Sequence, residues 1–178
     1  MHHTISRIFC AFLALATFAP VTARAATGDI GCIEAKLGPA AMQRIGTGVV
    51  AAADKGTNPA GALDADREAL LAARQGCRVA NDWSPDAVQA AISYTQSRAT
   101  KLGAESALKS EGLDTAKLVT SYAALPIQDR KSLIAKASPG ALNAVAVAAP
   151  VLRTRRHILL YFAALAGIEF YPGDFAAS

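Results

Sequence analysis

The stretch Asn81-Asp82-Trp83-Ser84-Pro85-Asp86 reads as a helix start, and the residues behind it sustain that helix for a long way. Ser84 supplies an N-cap oxygen. Pro85 suits the first helical position, where an N–H would lack an intrahelical partner anyway, and Asp86 meets the positive end of the macrodipole. Trp83, just before the cap, is placed to pack on Val88 as a hydrophobic staple. Val88, Ile92, Thr95, Ala99, Leu102 and Leu108 then follow one stripe. The spacing predicts a helix over residues 85–111, closed by Gly112. At ~1.5 Å per residue such a helix spans a whole domain, so the other elements must pack around it.

The rest of the chain is written in the same language. Hydrophobic residues make up 52% but aromatics only 6%, because alanine dominates the apolar count. Alanine is the best helix former and a poor strand former. Asp29 can cap a short first helix that Gly38-Pro39 stops, and Pro39 can open a second one reaching to about residue 55. Met42, Ile45, Val49 and Ala52 form its face, and Gly46-Thr47-Gly48 within it indicates a close helix crossing or a kink. With no preceding strand and no third glycine, that Gly-x-Gly is no phosphate loop.

A loop at residues 56–61 leads into a helix over about 63–76, with Leu63, Leu70 and Cys77 on one stripe. Its early acids, Asp64, Asp66 and Glu68, fit the dipole of a first turn better than a metal site. After the long helix, Leu113-Asp114 starts another, with Leu113 placed to staple Leu118. Further helices are expected over about 127–137, over an almost wholly apolar stretch 140–149 behind a second Ser-Pro cap at Ser138-Pro139, and over about 151–167. Phe170-Tyr171-Pro172-Gly173 then reads as an aromatic tail. The expectation is an all-α protein: a single-domain orthogonal or up-down bundle of about six to seven helices over residues 26–178.

Residues 1–25 stand apart from that fold. Arg7 precedes an apolar run from Ile8 to Ala19, Pro20 ends it, and Ala23-Arg24-Ala25 has the small-x-small form of a cleavage site. This is the three-part pattern of a secretory signal peptide, too short for a permanent span. The expected address is periplasmic or secreted, in a bacterial cell envelope. Arg7 and Arg24 leave with the leader, so the formal charge of +4 falls to near balance. Neither that charge nor export suits nucleic-acid binding.

Export also interprets the cysteines. Cys10 leaves with the leader, and Cys32 and Cys77 remain for one possible disulfide in an oxidising compartment. Closing that loop is worth about 4 kcal/mol by chain entropy. No CxxC spacing or third cysteine favours a redox or metal role. Asp29 sits where a lipobox needs an aliphatic residue, which argues against lipidation of Cys32.

No chemistry-bearing motif stands out. His157 is the one histidine left after the leader, so two-histidine zinc motifs are excluded, and no serine lies in a Gly-x-Ser-x-Gly setting. No catalytic residue, cofactor or metal ligand is assigned. The most unusual feature is Arg153-Thr154-Arg155-Arg156-His157, between two apolar helical stretches. Guanidinium forks suit carboxylates and phosphates, so Arg153, Arg155, Arg156 and His157 are the candidate partner-binding residues. Their charge opposes the dipole of the helix they begin, so pairing with acids from other helices is the competing reading. The two flanking apolar stretches are too short to span, and a buried helical hairpin with at most weak membrane-surface contact is expected.

The expected function is non-catalytic: binding of an envelope protein or anionic envelope component. The alternatives are a module holding an apolar small molecule between helices, and a hydrolase using His157 or paired carboxylates.

Overall fold

The computed structural model describes residues 26–149 and 151–178, and these form an all-helical protein. The leader expected at residues 1–25 lies outside the described residues. The elements in chain order are α1 (Cys32–Lys55), a 3₁₀ segment (Pro59–Asp66), α2 (Arg67–Asn81), α3 (Pro85–Ser110), α4 (Thr115–Ala123), α5 (Ile127–Ser132), α6 (Pro139–Ala148) and α7 (Leu152–Ala176).

The long helix is the axis of the fold. α3 packs most extensively on α7 and next on α1. Ser84 caps it by accepting from the Ala87 N–H at 3.0 Å. Its N-terminal half, with Ala87, Val88, Ala90 and Ala91, shares a core with Ile33, Cys77, Trp83 and Phe175. Its C-terminal half, with Ala104 and Leu108, shares a larger core with Leu118, Tyr122, Val145, Ile158, Tyr161 and Phe162. Between the two, α1 crosses α3 where Met42, Ile45 and Ala99 meet.

That crossing is made by glycine. A methyl built on Gly46 would overlap the Ala99 carbonyl oxygen and lie 2.8 Å from the Gly103 nitrogen. One built on Gly103 would overlap the Gly46 carbonyl and lie 2.9 Å from its Cα. The backbones therefore touch, as the Gly46-Thr47-Gly48 break suggested. The kink of α1 lies elsewhere, at Gly38, whose φ of 75° and ψ of 169° only glycine adopts without strain. Pro39 resumes the helix beyond it.

Cys32 and Cys77 form the disulfide, with their Cα atoms 6.0 Å apart, and tie the start of α1 to α2. Beside it, Trp83 is buried. Its indole N–H donates to the Thr27 carbonyl at 2.7 Å, and its ring meets Phe175 edge to face at 5.2 Å. Trp83 and Val88 share the same core, as the staple requires.

Three boundaries differ from expectation. α2 begins at Arg67, behind a 3₁₀ turn, and runs on to Asn81. Asp66 caps nothing through its side chain; it is buried and holds Arg44 through two hydrogen bonds, of 2.5 and 3.3 Å. Asp64 pairs with Arg67. The early acids of this segment thus act mainly as salt-bridge partners. α5 stops at Ser132, and 3₁₀-type bonds carry the chain to the Ser138 cap, which accepts from Ala141 at 3.1 Å.

The third difference is the largest. α7 does not end near residue 167 but continues through Pro172 and Gly173 to Ala176, so the expected aromatic tail is helical. A proline inside a helix removes a hydrogen bond and costs ~3 kcal/mol. Burying Phe175 against Trp83 offsets that cost, a long-range gain that local propensity does not register.

Candidate functional site

The basic cluster opens α7, and the fold explains why a helix can begin with so much positive charge. Three other helices end there. The Arg155 Nε–H donates to the Ala149 carbonyl, at the end of α6, at 2.7 Å. Arg156 donates to the Ala53 and Asp54 carbonyls, at the end of α1, at 2.7 and 3.1 Å. Arg153 reaches the Asp54 carboxylate at 3.1 Å and that of Glu111, at the end of α3, at 3.8 Å. Helix C-termini carry unpaired carbonyls and partial negative charge, which guanidinium groups match.

His157 sits beneath the arginines with no exposed surface. Its Nε2 lies 2.9 Å from Asp54 Oδ1 and its Nδ1 2.9 Å from Glu111 Oε1. The contact with Asp54 is a hydrogen bond, whereas Nδ1 lies within ion-pair distance of Glu111 without hydrogen-bond geometry. Partial burial pushes the Asp54 carboxyl up, but the hydrogen bond and charge of His157, with Arg153, outweigh it and hold Asp54 below its ordinary value. His157 thus belongs to a clamp joining α1, α3 and α7, and the surface above it consists of Arg153, Arg155 and Arg156. The ring itself has no exposed surface, and Asp54 occupies its Nε2.

The apolar part of the site adjoins the arginines. α6 buries only Ala141 and Val145, followed by Ala149, a single stripe at four-residue spacing. The hairpin expected to be buried is therefore open on one side. Leu142 is 46% exposed, Val147 89%, Val151 57% and Leu152 76%. Val147, Val151 and Leu152 lie at the elbow where α6 turns into α7, Leu142 sits in the first turn of α6, and Arg153, 66% exposed, follows Leu152 at once. Asp54, Leu152, Arg153 and Arg156 line an open depression at the same place.

A second polar cluster lies further along α7. The Tyr122 hydroxyl donates to Glu169 at 2.6 Å, Arg130 pairs with Glu169 at 2.8 Å, and the Arg130 guanidinium stands over the Tyr122 ring at 5.7 Å. Burial, and then Glu169 as acceptor, pushes the Tyr122 hydroxyl well above its ordinary value. This cluster ties α4 and α5 to α7.

An open recess of about 230 Å³ lies between α1, α3 and α7, lined by Val49, Ser97, Leu160, Gly167 and Tyr171 among others. Among the described residues, no group of three His, Cys, Asp or Glu side chains is arranged to hold a metal. α7 is long and apolar enough to cross a membrane by length and composition alone, but it is also the main packing partner of α3.

No protein family, curated protein or solved structure matches this chain.

Sequence reasoning singled out the arginines and His157 but missed their partners. Asp54 precedes His157 by 103 residues, and neither it nor Glu111 belongs to a local motif. The signal that was available is the electrostatic mismatch of a cationic helix start, which calls for acids from elsewhere.

Proposed function

We propose that this chain is an exported, non-catalytic helical protein of the bacterial cell envelope that binds an envelope component through the α6–α7 elbow. The observation that carries the reading is the solvent-facing set Val147, Val151 and Leu152 beside Arg153 and Arg156. Large aliphatic side chains held more than half in water at one turn, next to guanidinium groups, fit a recognition surface better than a stability device. The clamp around His157 fixes that surface to the ends of α1 and α3, so the elbow is presented on a rigid base. Export is supported by the leader pattern and by the disulfide, which suits an oxidising compartment.

The test is site-specific photo-crosslinking in intact cells, with the reactive residue at Leu152 or at Val79, which is 71% exposed on α2. The reading expects adducts to an envelope component from Leu152 and none from Val79. Equal adducts from both positions, or none from Leu152, would overturn it. Mass measurement of the purified envelope form should give a chain beginning at Ala26.

A further inference from the structure

We infer that the occupant of the elbow is the surface of an anionic lipid bilayer, with Val147, Val151 and Leu152 dipping among the headgroups and Arg153 and Arg156 at the phosphates. This rests on the elbow being the binding surface and goes on to name what it binds. Three observations favour lipid over protein.

The first is shape. Exposures of 89% for Val147 and 76% for Leu152 leave these side chains largely in water, and the depression beside Leu152 is open rather than a closed pocket. Exposed aliphatic side chains enter a fluid interface without needing a complementary pocket. The second is size. The three exposed aliphatic residues of the elbow present on the order of 400 Å², within the range of a functional patch but below the ~800 Å² per partner of a stable protein interface. No aromatic side chain stands among them to act as the anchor that a small protein interface would need.

The third is charge. Arg153, Arg155 and Arg156, with exposed Lys55 beside Asp54, outnumber Asp54 and Glu111 at this end of the molecule, while Lys109 is paired with Glu105. A basic rim around an aliphatic patch is the arrangement that anionic headgroups attract. Guanidinium groups also pair with phosphate oxygens in a forked geometry.

The experiment is flotation of the mature, disulfide-bonded protein with vesicles of phosphatidylcholine alone or mixed with phosphatidylglycerol. Wild type is compared with a Val147→Asp/Leu152→Asp variant. Both positions are exposed, so the fold is spared, and circular dichroism verifies this. The expected result is at least roughly tenfold stronger binding to the anionic vesicles, weakening as salt shortens the screening length, and lost in the variant. Equal binding to both vesicles, or binding that the variant retains, would overturn the proposal. If a folded wild type binds neither vesicle while Leu152 still crosslinks to a protein in cells, the lipid proposal falls and the elbow reading stands. If it binds neither vesicle and Leu152 captures nothing, both fall.

Discussion

Gly46→Ala should destabilise this protein even though alanine is the better helix former. In an open helix the exchange gains about 1 kcal/mol. At the α1–α3 crossing the new methyl meets backbone: it overlaps the Ala99 carbonyl oxygen and lies 2.8 Å from the Gly103 nitrogen and 3.0 Å from the Ala99 carbonyl carbon. Backbone cannot rotate away, so the helices must separate. Opening a packed interface by ~0.5–1 Å forfeits a quarter to a half of each contact along it. Overpacking of this kind costs typically ~1–3 kcal/mol, and the second most extensive helix pair in the fold sits at the upper end. The net expectation is a loss of about 2 kcal/mol, or a midpoint lowered by roughly 4–8 °C for a domain of this size. Gly103→Ala aims at the same crossing and should behave alike, with a double variant less than additive. Gly76→Ala is the matched control. Its methyl meets only the flexible end of Lys36, at 3.4 Å, so it should gain up to about 1 kcal/mol. Thermal and urea unfolding followed by circular dichroism read the four variants against wild type. A Gly46→Ala protein as stable as wild type, or more so, would refute the close crossing.

The clamp gives a pH dependence with a definite sign. Asp54 is held below its ordinary carboxylate value, so its contribution is present above the unfolded value near ~3.9 and is lost as pH falls through the lower folded value. Asp54→Asn should lower the urea midpoint at neutral pH and flatten its decline between about pH 5 and 2; an acid limb unchanged by the substitution would exclude the clamp as its source. Replacing both Cys32 and Cys77 with serine should cost about 4 kcal/mol by loop-closure entropy, read as the shift in urea midpoint against wild type. Phe175→Ala should cost about 3 kcal/mol and free the turn beyond Pro172, seen as faster amide exchange confined to the last residues of α7.

The elements that could be read from sequence are those whose cause is local. Ser84, Asp114 and Ser138 each cap the helix expected of them, because a cap needs only the next three residues. With Cys10 in the expected leader, only Cys32 and Cys77 were left to pair. The crossing at Gly46 was legible because a glycine inside a helix needs a reason. What stayed hidden was set at long range. The continuation of α7 past Pro172 depends on Trp83, far back in the chain. The start of α2 depends on Arg44 reaching across to Asp66. At the candidate site the arginines were visible as an anomaly, but their burial pattern was not. Which of Arg153, Arg155 and Arg156 lies at the surface follows from where α1, α3 and α6 end, and no local pattern encodes that. Likewise the apolar stretch of α6 looked like core, because hydropathy alone does not say which side of a helix will lack a neighbour.

Amide hydrogen exchange of the mature protein, free and in contact with vesicles made from native envelope membranes, tests the central claim most directly. The account predicts protection gained at residues 142–156, where the exposed aliphatic side chains and the arginines meet, with the recess lined by Ser97, Leu160 and Tyr171 unchanged. Protection at that recess, or at any surface away from the elbow, with residues 142–156 unaltered, would contradict it.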